Sequence, residues 1–479
     1  MNRELKRVST VVLLMFIALF ASSTVITVFQ VDSLRNNPHN VRTLYDSYSA
    51  ERGPILVQGQ PVAQSVASSD LYKFQRVYSQ PELYSAVTGY FTLNQGTTGV
   101  EGSLNDYLSG TANDQFLDKI NSILTGQNPK GASVALTIDP AVQQVAYDAL
   151  GDHNGAVVAI NPKTGAILAM VSKTAYDPNL LASHNTTSVI AAYKQLLASP
   201  QHPLINRAIA GDLYHPGSVF KLVVASAAID SGKYTPDSEF PNPPTLQLPQ
   251  STTFINNAEG GSCGGGATVS IATALRLSCN IPFAELGQAL GQDLIAKYAK
   301  AYGYGQSLDI PMRVTPSTYP AGMDAPQVLL SSFGQFDDRV TPLQIAMTSA
   351  AIANGGTLMQ PTLIQNITAP DLTVIQPFQQ TVLGHPISAA TSSTLTGLMI
   401  NNVNNGAASN ARISGVDVAG KTGTAQNGDG KPYTVWFTGF APAASPQVAV
   451  AVVVENQNSI GNVVSAPIAK KVIEAVLNK

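Results

Sequence analysis

Ser218 and Lys221 stand three residues apart, just after Pro216-Gly217, at the head of a run that is apolar almost all round (Val219, Phe220, Leu222, Val223, Val224, Ala228, Ile229). If that run is a helix, the spacing sets the hydroxyl and the amine on one face. A serine oxygen is a poor nucleophile until a neighbouring base takes its proton. A lysine can be that base when burial and nearby positive charge favour its neutral amine. A helix start also offers backbone N–H groups and a positive dipole end to a developing oxyanion. Taken alone, the same residues read better as a helix cap followed by a surface lysine, so the pair by itself does not establish the chemistry. Two further patterns accompany it. Ser278-Cys279-Asn280 ends a helical stretch from Ile271 to Leu277, and Lys421-Thr422-Gly423-Thr424 follows an alternating strand, Val416–Ala419. Taken singly, one is a turn and the other a strand end.

Competing motifs fail on their surroundings. Gly415 to Thr422 spells the phosphate-cradling G-x-x-x-x-G-K-T, but that loop needs a helix starting at its Lys-Thr. Here Gly423, Gly428, Gly430 and Pro432 forbid one. Gly260 to Gly264 spells G-x-S-x-G, yet a nucleophile elbow needs a strand before it and a helix after it. Asn256-Asn257 and Gly265-Gly266 make this segment a loop. The six histidines are scattered and no C-x-x-C occurs, so no metal site is expected. No cofactor is implied. Charged residues are only 12% and the net charge is −3 with no basic block, which argues against a nucleic-acid partner.

The elements that must position these groups are only partly legible. Arg3, Lys6 and Arg7 precede an uncharged apolar run from Val8 to Phe29, long enough at ~1.5 Å per residue to span a ~30 Å hydrocarbon core. Ala21-Ser22-Ser23 would suit a signal peptidase, but the apolar run continues through Val25, Ile26, Val28 and Phe29, which favours a retained anchor. The basic flank then keeps residues 1–7 cytoplasmic and the remainder outside. Residues 30–130 read as a small domain with weak periodicity, and Thr125 to Gly131 has the composition of a boundary loop. Residues 131–479 carry every motif. In them Ala156–Asn161 and Ala166–Ser172 read as a hairpin, Thr434–Phe440 and Gln447–Glu455 as strands, and Ala466–Leu477 as a closing helix. Strands at both ends with helices between predict an α+β fold whose sheet is assembled from the chain ends.

Taken in this order, the patterns are the S-x-x-K, S-x-N and K-T-G set shared by penicillin-binding proteins and serine β-lactamases. The chain resembles the class B penicillin-binding proteins, monofunctional peptidoglycan D,D-transpeptidases, and within them the actinobacterial penicillin-binding protein A branch. Arg52-Gly-Pro-Ile55, Gly99-Val-Glu101 with Tyr107-Leu108, Thr137-Ile-Asp139, Tyr176-Asp177-Pro178, Val340-Thr-Pro-Leu-Gln344 and Trp436 to Pro442 extend the likeness over nearly the whole chain. Two departures occur: Cys279 fills the middle of S-x-N, and Val57-Gln58-Gly59-Gln60 replaces the usual D-R-N-G. The resemblance implies an antiparallel sheet flanked by helices, and these roles. Ser218 is acylated and Lys221 is its base. Ser278 relays a proton, and Asn280 holds Lys221 and the substrate amide. Lys421 supplies positive potential, and Gly423 lets a substrate backbone lie against the strand. Thr422 and Thr424 bind a terminal carboxylate, while the Ser218 and Thr424 N–H groups form the oxyanion hole. The implied partners are peptidoglycan stem peptides, β-lactams, a membrane glycan polymerase and division or elongation proteins. A D,D-carboxypeptidase or a β-lactam-binding scaffold or sensor would share the motifs.

Two expectations stand apart from the resemblance. The cysteines, in an oxidising exterior, are expected to pair as Cys263–Cys279, the alternative being two free thiols. After Glu285 the next glutamate is Glu455, past Lys421, so a glutamate base for ester hydrolysis is not expected; Asp337-Asp338 is the least comfortable alternative.

Overall fold

The computed structural model describes residues 2–30, 50–115, 130–258 and 260–478. Asn2–Thr24 is α-helical and widens into a π turn over Val25–Phe29. Its apolar side chains lie open, and it is the one helix among the described residues long and apolar enough to cross a membrane.

The C-terminal half is built on a five-stranded antiparallel sheet in the order Ala419–Ala425, Tyr433–Ala441, Val448–Gln457, Gly155–Ile160, Ile167–Lys173. The three inner strands are almost continuously buried and largely apolar because both faces are covered. The buried helix Pro342–Ala353 packs on one face, while Pro140–Leu150 and Ser465–Leu477 pack on the other. The first strand, which carries K-T-G, lies at the sheet edge with one backbone row unpaired. The expected strand ended before K-T-G; the actual strand begins at Ala419 and contains it. Glycine hid this, since Gly420 and Gly423 lower strand propensity yet are demanded by space. A Cβ on Gly420 would lie 2.6 Å from the Phe437 ring, and one on Gly423 would lie 3.0 Å from Pro216 O.

A second, six-stranded sheet joins the two halves: Val374–Pro377, Ile364–Thr368, Ser133–Leu136, Ile55–Val57, Gln60–Ala67, Phe74–Tyr78. Ile55–Val57 pairs in parallel with Ser133–Leu136, which in turn pairs antiparallel with Ile364–Thr368. Of the boundary loop expected at Thr125–Gly131, residues 125–129 lie outside the described residues, and Gly131 N already donates to Glu51 O at 2.9 Å.

The N-terminal half is organised by one carboxylate. Glu101 is fully buried and accepts from Arg52 Nε and Arg76 Nε, each at 2.6 Å, and from the Tyr78 hydroxyl at 3.3 Å. Burial pushes its carboxyl upward, but the Arg76 and Arg52 guanidiniums more than offset this and hold it below the ordinary glutamate range. Its stabilisation is therefore present above the unfolded-state value and lost as pH falls through the folded one. Glu101→Gln would leave two buried guanidiniums uncompensated and should cost about 3–5 kcal/mol at neutral pH. Thermal unfolding of the detergent-solubilised chain would measure this, and the gap to the unsubstituted protein should narrow in acid.

Candidate active site

Ser218 does not start an α-helix. It sits in a 3-10 turn, Gly217–Phe220, and the α-helix begins at Lys221. In a 3-10 turn residues i and i+3 eclipse, which stacks the amine over the hydroxyl: Lys221 Nζ donates to Ser218 Oγ at 3.0 Å. The helix that follows, Lys221–Asp230, is buried almost all round, as its composition requires. Gly217 adopts φ 55° and its N–H donates to Gly334 O at 2.8 Å. A Cβ on Gly334 would lie 2.1 Å from Gly217 O, so two glycines let these backbones touch behind Ser218.

Ser278 and Asn280 lie between the helices Ile271–Leu277 and Ile281–Leu290. Ser278 terminates the first in a left-handed conformation, φ 62° and ψ 36°, which costs a non-glycine residue ~1–2 kcal/mol. Lys221 Nζ also donates to Ser278 O at 2.8 Å and to Asn280 Oδ1 at 2.9 Å, while Lys421 Nζ donates to Ser278 Oγ at 2.6 Å and to Thr422 O at 2.8 Å. The five polar residues thus form one connected network, Ser218–Lys221–Asn280 and Lys221–Ser278–Lys421.

The electrostatics follow from burial. Lys221 and Lys421 are both fully enclosed. Burial, followed by the neighbouring Lys421 charge, drives the Lys221 amine well below the ordinary lysine range, and burial alone brings Lys421 down to about 7. The Phe283 and Phe333 rings stand 5.5 and 6.0 Å from Lys221 Nζ and help exclude water. A neutral amine within hydrogen-bond reach of a serine oxygen is a general base in position.

The other expected residues fall around this centre. A Cβ on Gly217 would lie 3.1 Å from Thr424 C and O, so the end of the K-T-G strand abuts the Ser218 turn. Thr424 Oγ1 accepts from Gly461 N at 3.3 Å, which leaves its own proton for a ligand. The Thr422 hydroxyl instead donates to Ala407 O at 3.0 Å and must turn to donate into the groove. Cys263 and Cys279 are joined in a disulfide that ties the Gly260–Gly266 segment to the S-x-N turn.

Other neighbours had no local signal. Asn257 Oδ1 accepts from Asn280 N at 2.9 Å and Ile281 N at 3.1 Å, and Asn256 O accepts from Asn280 Nδ2 at 3.0 Å. These asparagines read as loop composition, and only the folded chain makes them a brace. Phe283 and Phe333 likewise read as ordinary core residues.

Residues 155–474 match the penicillin binding protein transpeptidase domain, and residues 52–134 the penicillin binding protein A dimerisation domain. The chain belongs to the penicillin-binding protein transpeptidase family. It is 39% identical to peptidoglycan D,D-transpeptidase PbpA of Mycolicibacterium smegmatis, over the whole of both chains. To the Mycobacterium tuberculosis protein of the same name it is 40% identical, over 100% of this chain and 99% of the other. The ceftriaxone acyl-enzyme structure of M. tuberculosis penicillin-binding protein A superposes with a TM-score of 0.87 at 38% identity, covering 90% of this chain and 100% of that one. The penicillin G acyl-enzyme of the same protein gives 0.85 at 38% identity, covering 89% of this chain and 100% of that one.

Of the aspartate pair, Asp337 is 66% exposed and pairs with Arg339 at 3.6 Å. Asp338 is sealed from solvent, and neither carboxyl oxygen has a hydrogen-bond partner among the described residues. Burial, then the Asp337 charge, pushes its carboxyl well above the ordinary range and favours the protonated acid. A raised folded-state value means that stability falls as pH rises above the unfolded aspartate value. Asp338→Asn should therefore raise Tm by a few degrees at pH ~7 and leave it unchanged near pH ~3, below the unfolded-state value. Thermal scans of both proteins across that range check this; a lower Tm for the asparagine variant at neutral pH would contradict it.

Proposed function

We propose that this penicillin-binding protein is a peptidoglycan D,D-transpeptidase that works through an acyl-enzyme on Ser218. The observation that carries the reading is the Lys221 Nζ to Ser218 Oγ contact at 3.0 Å from a fully buried lysine. The names of its relatives and the acyl-enzyme structures of one of them support it. Lys221 takes the Ser218 proton as the oxygen attacks the penultimate D-Ala carbonyl of a stem peptide. The oxyanion faces the Ser218 and Thr424 N–H groups. The C–N bond then breaks, and the terminal D-Ala amine leaves with a proton relayed through Ser278, which Lys421 orients. Asn280 keeps Lys221 aligned and offers its amide to the donor peptide. The donor backbone lies along the free edge of the Ala419–Ala425 strand at Gly423, its carboxylate on Thr422 and Thr424. An acceptor amine finally attacks the ester and loses its proton to Lys221, and the ester C–O bond breaks as Lys221 returns that proton to Ser218 Oγ.

The apolar N-terminal helix supports a single-pass anchor with the catalytic half outside the cytoplasm, because Arg3, Lys6 and Arg7 flank its start. Residues 8–29 are then the span, 30–130 a pedestal, and 131–479 the transpeptidase domain. The fit of such an anchored enzyme is with a membrane glycan polymerase and with division or elongation proteins.

Benzylpenicillin should give one covalent adduct, mapped by intact mass and peptide digestion to Ser218, and Ser218→Ala should fold and take up none. An undiminished adduct in that variant would sink the assignment. Lys221→Arg places a fixed positive charge there that cannot accept a proton, and should slow acylation about 10²- to 10⁴-fold.

Among the described residues, the hydrogen bonds of the Ser218, Lys221, Ser278 and Lys421 side chains run to hydroxyl, amide or backbone oxygens, not to a carboxylate. Hydrolysis of the ester needs a base for water, so penicillin should give a stoichiometric burst followed by very slow release. Offered stem peptides, the enzyme should make cross-linked dimers; release of D-Ala with monomers only would indicate a carboxypeptidase.

A further inference from the structure

Ser278 keeps its left-handed backbone, φ 62°, a conformation that persists only where the surroundings over-determine it. The helix that ends there, Ile271–Leu277, leaves its last carbonyls without intrahelical donors. Two of them are met by one side chain from a distant element. Asn402 Nδ2 donates to Leu275 O at 3.1 Å and to Arg276 O at 2.6 Å. Asn402 is fully buried, in the last turn of the long helix Ala389–Asn405.

Each of those carbonyls is also part of the site's own frame. Leu275 O accepts from Ser278 N at 3.3 Å, so the amide closes on the bond that turns the chain into its left-handed residue. Arg276 O accepts from Ala407 N at 3.0 Å, and Ala407 O accepts the Thr422 hydroxyl at 3.0 Å. The turn after Asn402 therefore reaches S-x-N on one side and K-T-G on the other. Gly406 makes the approach close, since a Cβ there would lie 2.2 Å from Arg276 O.

We propose that Asn402 is a positioning residue for acyl transfer. By bridging the Leu275 and Arg276 carbonyls it fixes the turn that aims the Ser278 hydroxyl at Lys421 Nζ, 2.6 Å away. Asn402 acts through Ser278 and does not itself touch substrate. The inference rests on the reading of Ser278 as the proton relay.

Losing the amide should not unfold the chain. Both carbonyls keep a backbone donor, and Asn402 Oδ1 has no hydrogen-bond partner among the described residues. A leucine of similar size leaves little unsatisfied. Acylation of the full chain in detergent by benzylpenicillin can be resolved into a non-covalent binding constant and a first-order acylation rate. Asn402→Leu should lower the first-order rate about 10- to 100-fold, with the binding constant unchanged within about twofold. In a Ser278→Ala background the same substitution should cost less than about twofold, because the group it positions is gone.

An equal loss in both backgrounds, a loss confined to the binding constant, or no loss at all would overturn the proposal. If Asn402→Leu does not fold, Asn402→Ser, which retains one donor, carries the same cycle with a smaller expected loss. Acylation of Ser278→Ala at the unsubstituted rate would instead overturn the relay reading, and the inference with it.

Discussion

Two lysine amines share one buried pocket, and the rest of the catalytic half can be understood as what that demands. Lys221 and Lys421 are each enclosed, and both hydrogen-bond Ser278, one at its carbonyl and the other at its hydroxyl. Burying two ammonium groups together is prohibitive, so the pocket sheds charge, and Lys221 feels burial most and its neighbour next. The outcome is an amine held well below the ordinary lysine range and 3.0 Å from a serine oxygen.

Dehydration requires walls, and the walls come from remote parts of the chain. The Phe283 and Phe333 rings stand near Lys221 Nζ, the all-buried helix Lys221–Asp230 lies behind it, and the edge strand Ala419–Ala425 closes the other side. Glycines stand where these parts meet: Gly217 against Gly334, Gly423 against Pro216, Gly406 against Arg276. At each a Cβ would press on backbone atoms, so the glycines are demanded by proximity and not by local conformation alone. The one non-glycine left-handed residue inside the site, Ser278, is gripped by Asn402 on its helix side and by the Cys263–Cys279 disulfide one residue on.

The N-terminal half is bound to this core by the shared six-stranded sheet, with Ser133–Leu136 between Ile55–Val57 and Ile364–Thr368. Interdomain bonds such as Gln143 Nε2 to Leu83 O at 2.9 Å and Asn206 Nδ2 to Ala86 O at 2.7 Å reinforce it. Backbone ladder bonds across a domain junction resist hinge motion more than side-chain contacts do. The Glu101 ion pairs with Arg52 and Arg76 then hold the pedestal's own elements together.

The polar cluster was legible in the sequence because groups that could act together must be of particular types at particular spacings. Ser218 with Lys221, Ser278 with Asn280, and Lys421 with Thr424 are each short-range patterns, and short-range geometry is set by local backbone. The core strands of the catalytic sheet were legible for the same reason, since residues buried on both faces are apolar throughout. What the sequence could not decide was everything that depends on two distant segments meeting. Its glycines hid the K-T-G strand, because the packing that requires Gly420 and Gly423 also erases their strand propensity. The 3-10 turn at Ser218, the left-handed Ser278, the bracing by Asn257 and Asn402, and the sealing of Asp338 all arise from tertiary contacts. So does the depression of both lysines, since a pKa responds to the dielectric and charges around a group, which only the folded chain supplies.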